Sequence, residues 1–335
     1  MIERIYSNRD KIDSGRPLGV KWTFTKLSKI IAGFLKATYL IITGNTGSGK
    51  TKFTKYLVLS AVREHKKKYP NSNIRVNWFA LEESSEYFYL SILAHLLYEK
   101  FKLSLSVAEL LSYKENKDLK SYFPLIEECR EELEYLKSFI VCYDYISNPF
   151  GIYKEVRNYM WTIGKDITVE DKEGNKIPIG FEYNNEDDFV INVFDHFTLV
   201  SIEEGKTEWN NLAYFSKEYI LNGLTKRYKC ANVLIQQQAS ETERVEFWQG
   251  EAVANKLKPT LNGLGVYKNS QQDATMVLGI TNFARYGVKK YDKFDITHYG
   301  HEFRLINVLK DRLFGTDGTE IGMLFDGASN QFSEI

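Results

Sequence analysis

Apolar residues along this chain recur in two rhythms, and the rhythm changes at polar or glycine-rich punctuation. Tyr39-Leu40-Ile41-Ile42 and Val76-Asn77-Trp78-Phe79-Ala80 are apolar at nearly every position, which predicts short strands buried on both faces. Residues 138–143, 189–194 (broken only by Asn192), 232–236, 305–309 and 321–325 read the same way. Between the early strands the period lengthens to that of a helix. Residues 52–68 put Phe53, Leu57 and Ala61 on one side, and residues 87–101 put Leu90, Leu93, Leu97 and Phe101 at helical spacing. Helices are also predicted over 119–137, 149–163 and 212–228; the glutamates of 127–134 read as a solvated face.

This alternation predicts an α/β fold with a mostly parallel central sheet flanked by helices and a C-terminal β-hairpin. Lys172-Glu173-Gly174-Asn175 reads as a turn, so a surface hairpin is predicted as an insertion near 165–182. No repeat or low-complexity linker divides the chain. The prediction is one domain over 21–335. A polar leading segment, 1–20, precedes it and ends in Ser14-Gly15-Arg16-Pro17-Leu18-Gly19.

Composition narrows the classes. The 335 residues are 43% hydrophobic, ample for a core, and 44 basic residues balance 44 acidic ones. Such a chain has no global field drawing it to nucleic acid, so any such contact must be local. The N-terminus lacks an apolar signal core, and the apolar neighbourhood 30–42, interrupted by Lys36, is too short to span a bilayer. Cys129, Cys142 and Cys230 show no paired spacing, which argues against a disulfide framework or a zinc site and suits a reducing cytosol.

The sharpest chemical signal is Gly44-Asn45-Thr46-Gly47-Ser48-Gly49-Lys50-Thr51. It fits the phosphate-loop pattern G-x-x-x-x-G-K-[ST] and lies between a predicted strand and a predicted helix, as that motif requires. Glycines let successive N–H groups turn toward phosphate oxygens, and the helix adds its positive N-terminal end. A nucleoside triphosphate with Mg²⁺ is the expected ligand: Lys50 toward the β- and γ-phosphates, Thr51 toward the metal.

Other candidates depend on that loop. Asp195 ends the strand at 189–194 and is a candidate second holder of Mg²⁺; alone, such an Asp is often a turn residue. Glu82 and Glu83 follow the strand at 76–80 and could activate water, or could cap the helix that begins near Ser84. Gln236-Gln237-Gln238 ends another strand, where an amide could report the γ-phosphate. Lys310 and Arg312 sit at the shoulder of the late hairpin, and an arginine there could stabilise charge on the γ-phosphate, often from a neighbouring subunit. His196 is either a nucleotide sensor or a packed histidine.

In order and spacing these segments resemble the RecA-like ATPase domain of hexameric replicative helicases, the DnaB type and the related phage primase-helicases, over residues 14–335. Leu81-Glu82-Glu83-Ser84 is similar to the family's Leu-Glu-x-Ser segment, which implies Glu82 as the residue that activates water. Phe194-Asp195-His196-Phe197-Thr198-Leu199-Val200 looks like the phage form of the second motif. Gln237 fits the sensor glutamine, and Gln272-Asp273-Ala274-Thr275 resembles the run before the next strand. Leu309-Lys310-Asp311-Arg312, with Gly315 and Gly318 after it, resembles the hairpin that supplies Lys310 and Arg312 in trans. The resemblance implies an ATP-driven DNA helicase motor in a homo-oligomeric, hexameric ring that translocates on single-stranded DNA. It also implies a primase or loader partner, a cytoplasmic location (host cytoplasm if phage-encoded) and no membrane. Residues 1–20 would be a linker between subunits.

There are departures. The family usually has a helical or primase domain ahead of this one, and little precedes residue 14. Ala239-Ser240 stands where the family has Asn-Arg. The loops expected to face DNA, 239–270, set Arg244, Lys256, Lys258 and Lys268 against Glu241, Glu243, Glu246 and Glu251. Trp248, in the same stretch, is a candidate to stack a base. A RecA-like regulatory or assembly ATPase, acting on a protein partner without unwinding, is the alternative.

Overall fold

The computed structural model describes residues 2–248 and 251–335, leaving aside the side chains of Arg4, Glu243, Phe247, Trp248 and Glu251. Its centre is a nine-stranded sheet. In chain order the strands are β1 (Thr38–Gly44), β2 (Ile74–Ala80), β3 (Ile140–Tyr143), β4 (Phe189–Asp195), β5 (Ala231–Gln237), β6 (Met276–Thr281), β7 (Phe303–Asp311), β8 (Glu320–Asp326) and β9 (Gln331–Glu334). The spatial order is β9-β8-β7-β6-β1-β5-β4-β2-β3. Strands β3 through β6 in that order run parallel, and β7, β8 and β9 add antiparallel.

Both faces of the parallel part are covered, which is why its strands read as continuous apolar runs. On β1, Leu40 and Ile42 join one core with Phe53 and Leu57 of α2 (Lys50–Lys68) and with Phe88 and Ile92 of α3 (Ser85–Phe101). Tyr39 and Ile41 point into the other core, with Ile152, Val156 and Met160 of α4 (Pro149–Ile163). A helix Glu208–Tyr214 continues there as a wide π-helical run, Phe215–Arg227, which closes with Tyr228 N–H donating to Gly223 O at 3.0 Å.

One polar line crosses this apolar interior. Asn77, Asn192 and Asn232 stand opposite one another on β2, β4 and β5. Asn77 Nδ2 donates to Asn192 Oδ1 at 2.9 Å, and Asn192 Nδ2 donates to Asn232 Oδ1 at 2.8 Å. Arg75 Nε closes one end on Asn77 Oδ1 (3.0 Å), and Asn232 Nδ2 closes the other on Thr225 Oγ1 (2.9 Å).

Two details differ from the sequence reading. The leading segment is largely a helix, α1 (Ile2–Asp13), whose Ile2, Ile5, Tyr6 and Ile12 stay exposed. Charged residues between them hide the period. The helix predicted over 119–137 is a 3₁₀ turn Leu119–Tyr122 and two short helices, Phe123–Glu128 and Arg130–Lys137. Pro124 is tolerated only in a first turn, so a helix must start at it. The inserted hairpin pairs Gly164–Glu170 with Lys176–Tyr183, within a residue of its predicted bounds; its root is fixed by fully buried Phe181, while Ile167, Val169, Ile177 and Ile179 are exposed. Among the described residues no helix is long and apolar enough to cross a membrane.

Candidate nucleotide site

The phosphate loop sits where β1 ends and α2 begins. Gly47 (φ 71°) and Gly49 (φ 97°) are in the left-handed region, the backbone form that side chains disfavour. Gly44 is required for a second reason: a Cβ there would come within 2.4 Å of Ile280 O and 2.6 Å of Ser48 Oγ. Asn45 Nδ2 donates to Tyr286 OH (2.9 Å), and Lys50 Nζ donates to Asn45 O (3.1 Å).

Parallel pairing brings the ends of β2, β4 and β5 to this loop. Thr51 Oγ1 donates to Asp195 Oδ1 at 2.9 Å. Asp195 is fully buried; burial pushes its carboxyl up to about 7, against the pull of the Thr51 hydrogen bond, and Glu83 and Glu82 add to the rise while Lys55 opposes it. The peptide between Asp195 and His196 is cis. Burial, then the charge of Lys50, lowers His196 to about 4, so its ring is neutral at pH 7; its Nδ1 pairs with Thr198 Oγ1 at 3.0 Å.

Leu81 N–H donates to Asp195 O at 2.5 Å, which carries the end of β2 to the same level. The two glutamates after it have different fates. Glu83 Oε1 forms an ion pair with Lys55 Nζ at 2.5 Å, one turn into α2. Glu82 is exposed and makes no hydrogen bond or ion pair among the described residues. Neither caps α3: Ser84 Oγ accepts from Tyr87 N–H (3.3 Å), and Asp144 Oδ2 accepts from Ser85 N–H (2.7 Å).

The three glutamines also separate. Gln236 is buried against Tyr267 O (3.0 Å) and Ser270 Oγ (2.6 Å), and Gln238 against Thr43 Oγ1 (2.9 Å) and Thr260 O (3.1 Å). Gln237 alone faces the loop, donating to Thr46 Oγ1.

Lys310 and Arg312 lie at the other end of the sheet. Gly44 is level with Ile280, and Ile280 with Ile306. Arg312 is six residues further along β7, about 20 Å at strand rise, and it is exposed. Lys310 Nζ donates to Gln271 O, and burial, followed by Arg312, lowers it to about 8. Of the four cations read as DNA-facing, Lys256 pairs with Glu246, and Lys258 with Glu320 (2.7 Å) and Tyr291 OH (2.9 Å). Arg244 and Lys268 are exposed. The Trp248 side chain lies outside the described residues.

Sequence reasoning missed three groups at the loop. Arg304, 5% exposed, donates from Nε to Ser48 O at 2.8 Å. Its signal was an arginine near the start of an otherwise apolar strand. Arg285 Nη1 would be 3.2 Å from a Cβ on Gly47, and Tyr286 holds Asn45; nothing local marked either.

The residues fit ATP and Mg²⁺. The loop offers backbone donors and Lys50 to phosphate, and Ser48 Oγ and His196 Nε2 are buried without a hydrogen-bond partner. Thr51 and Asp195 could hold Mg²⁺, whose remaining positions phosphate oxygens and water would fill. Among the described residues no cluster of three His, Cys, Asp or Glu offers a stand-alone metal site.

No protein-family profile matches the chain, and no curated protein does. Solved structures do. A DnaB-like replicative helicase, studied with its interactions with primase, superposes at TM-score 0.67 with 14% identity, over 98% of this chain and 67% of that one. A separately solved ATPase domain superposes at TM-score 0.68 with 15% identity, over 99% and 98%. A KaiC-like protein of Pyrococcus horikoshii OT3 reaches only 0.46 at 13% identity, over 95% and 100%, too loose a match to argue from. The phosphate loop, the strand order and the first two superpositions together give the chain the RecA-like fold of helicase ATPase domains.

Proposed function

We propose that this chain is the ATP-hydrolysing motor of a DNA helicase, acting at the interfaces of a ring of copies on single-stranded DNA. The observation that carries the reading is the division of parts between the two ends of the sheet. Thr51, Asp195, Glu82 and Gln237 surround the loop, whereas Lys310 and Arg312 lie beyond the reach of their own loop. Lys50 and backbone amides bind the phosphates. Bound Mg²⁺ would screen the phosphate charge. Glu82, whose carboxylate is unengaged while Glu83 is held by Lys55, takes the proton of the attacking water. Gln237 links the γ-phosphate position to the loops after β5. Arg312, with Lys310, completes the site of the next copy. The likeness to a DnaB-like helicase supports this reading and makes primase, or a loader, the class of protein partner to test.

One observation favours the other reading, a regulatory or assembly ATPase. Two of the four candidate DNA cations are already neutralised by Glu246 and Glu320. The deciding experiment measures ATP hydrolysis with and without single-stranded DNA, with oligomeric state recorded on the same samples. Strong stimulation in a ring-sized assembly supports the motor. Hydrolysis indifferent to DNA moves the assignment to the regulatory ATPase.

A further inference from the structure

A buried cation stands behind the phosphate loop. Arg304, near the start of β7, is 5% exposed, and no acidic side chain pairs with it among the described residues. Burial alone lowers it, to about 10, so it keeps its charge at pH 7. Its partners are carbonyls instead. Nε donates to Ser48 O at 2.8 Å, and Nη1 donates to His301 O at 2.6 Å and to Phe303 O at 2.8 Å. The guanidinium also lies 5.0 Å from the centre of the Phe325 ring on β8. A buried cation without a counter-charge is costly, and a nearby anion offsets that cost.

The peptide it touches gives this charge a direction. The Ser48–Gly49 peptide is trans, so Ser48 O and Gly49 N–H point opposite ways. Ser48 O accepts from Arg304, while Gly49 N–H donates to no group among the described residues. Ser48 N–H is engaged elsewhere, on Asn45 O at 3.1 Å. The guanidinium is close to this peptide: a Cβ on Gly49 would come 3.6 Å from Arg304 Nε. A charged donor on a carbonyl polarises the peptide and makes its N–H a stronger donor. It also fixes the plane of that peptide, so the N–H is aimed before any ligand arrives.

We infer that Arg304 is a positioning residue for phosphate: acting through the Ser48–Gly49 peptide, it holds Gly49 N–H toward the bound phosphates and supplies a buried positive charge that theirs offsets. The inference rests on the nucleotide reading of the loop. It adds to that loop a residue from β7, on the other side of β6 from the strand that leads into it. Because Arg304 acts through the backbone, its effect falls on phosphate binding more than on turnover.

The test uses the full chain, calorimetric titration and two magnesium-loaded probes, ATP and inorganic tripolyphosphate, the second carrying phosphates without a base. Arg304→Lys keeps the charge but loses the planar fork. Arg304→Gln keeps a donor without the charge, and Arg304→Met keeps neither. A charge-assisted hydrogen bond is worth about 10–100-fold in affinity, so Arg304→Met should weaken both probes by about that factor. Arg304→Lys should recover most of the loss, and Arg304→Gln should not. In steady-state hydrolysis KM should rise with kcat nearly unchanged. If wild type binds both probes and the Gln and Met variants bind them as tightly, Arg304 serves the fold alone and the inference is overturned. If Arg304→Met does not fold, the Lys and Gln variants decide, and equal affinities in those two overturn it. If wild type binds neither probe, the phosphate-loop reading itself fails and takes the inference with it.

Discussion

Replacing Asn192 with Val should show what the asparagine line contributes. The side chain is fully buried and bonds to Asn77 and Asn232 at 2.9 and 2.8 Å. Valine strands two atoms, Asn77 Nδ2 and Asn232 Oδ1, while the outer bonds to Arg75 and Thr225 remain. A buried group without a partner costs about 1–3 kcal/mol, so the gross penalty is about 2–6 kcal/mol. Valine's apolar surface offsets about 1–2 kcal/mol of that. The net loss is then about 1–4 kcal/mol. Unfolding entropy near 2.1 cal/mol/K per residue over 335 residues gives about 0.7 kcal/mol/K, so Tm should fall by about 1.5–6 °C. Thermal unfolding followed by calorimetry measures it. Adding Asn77→Val should cost much less than it does in the wild-type background, because its partner is already gone. An unchanged Tm in the single variant, or fully additive losses in the double, would refute the argument. The line also ties together the three strands whose ends bear Glu82, Asp195 and Gln237. A one-residue slip would turn each group to the opposite face, which gives the polar line a reason to exist in an apolar sheet.

Three further outcomes follow from the site. Arg312→Ala should lower turnover about 10³-fold or more, as expected for an arginine acting across a subunit boundary, with nucleotide affinity nearly unchanged; steady-state ATPase and equilibrium binding check it, and full turnover would remove the assignment. Glu82→Gln should lower hydrolysis about 10²–10⁴-fold and leave ATP bound, while Glu83→Gln, which loosens Lys55, should cost less; the reverse order in single-turnover assays would transfer the role to Glu83. Lys310, lowered to about 8 by burial, should give hydrolysis an alkaline limb near pH 8 as its charge is lost, and Lys310→Arg should move the limb upward; a pH profile unchanged by that substitution would count against it. Linkage gives an independent sign. Between pH 8 and the ordinary lysine value the unfolded chain holds a proton the folded chain has lost, so Lys310's contribution to stability rises with pH there and is least favourable below pH 8.

Much of the fold could be read from sequence because its signals are local. Residues 149–163 form the helix with the predicted bounds, and β1, β2, β4 and β5 extend their predicted runs by at most a few residues, whereas β3 is two residues shorter than its run and β6 had no predicted run. The phosphate loop was legible because eight adjacent residues carry its whole geometry. What escaped depends on distance or on competition. Arg304 reaches Ser48 across more than 250 residues. The fate of Glu82 against Glu83 turns on Lys55, and the π winding of Phe215–Arg227 has no periodic signature distinct from an ordinary helix. Pro124 was visible, but its power to restart a helix was outweighed by the charge pattern around it.

The separation of Arg312 from the phosphate loop also bears on symmetry. If the arginine of one copy serves the loop of another, the two surfaces that meet are unlike. A two-fold pair cannot join unlike surfaces reciprocally without leaving its own halves unmatched; each contact instead repeats one rotation and one translation. When the translation vanishes, the series closes on itself. When it does not, the same contact builds a helical filament without end. A small change in the pitch of that interface, with no change in the chemistry of any site, would therefore convert one assembly into the other.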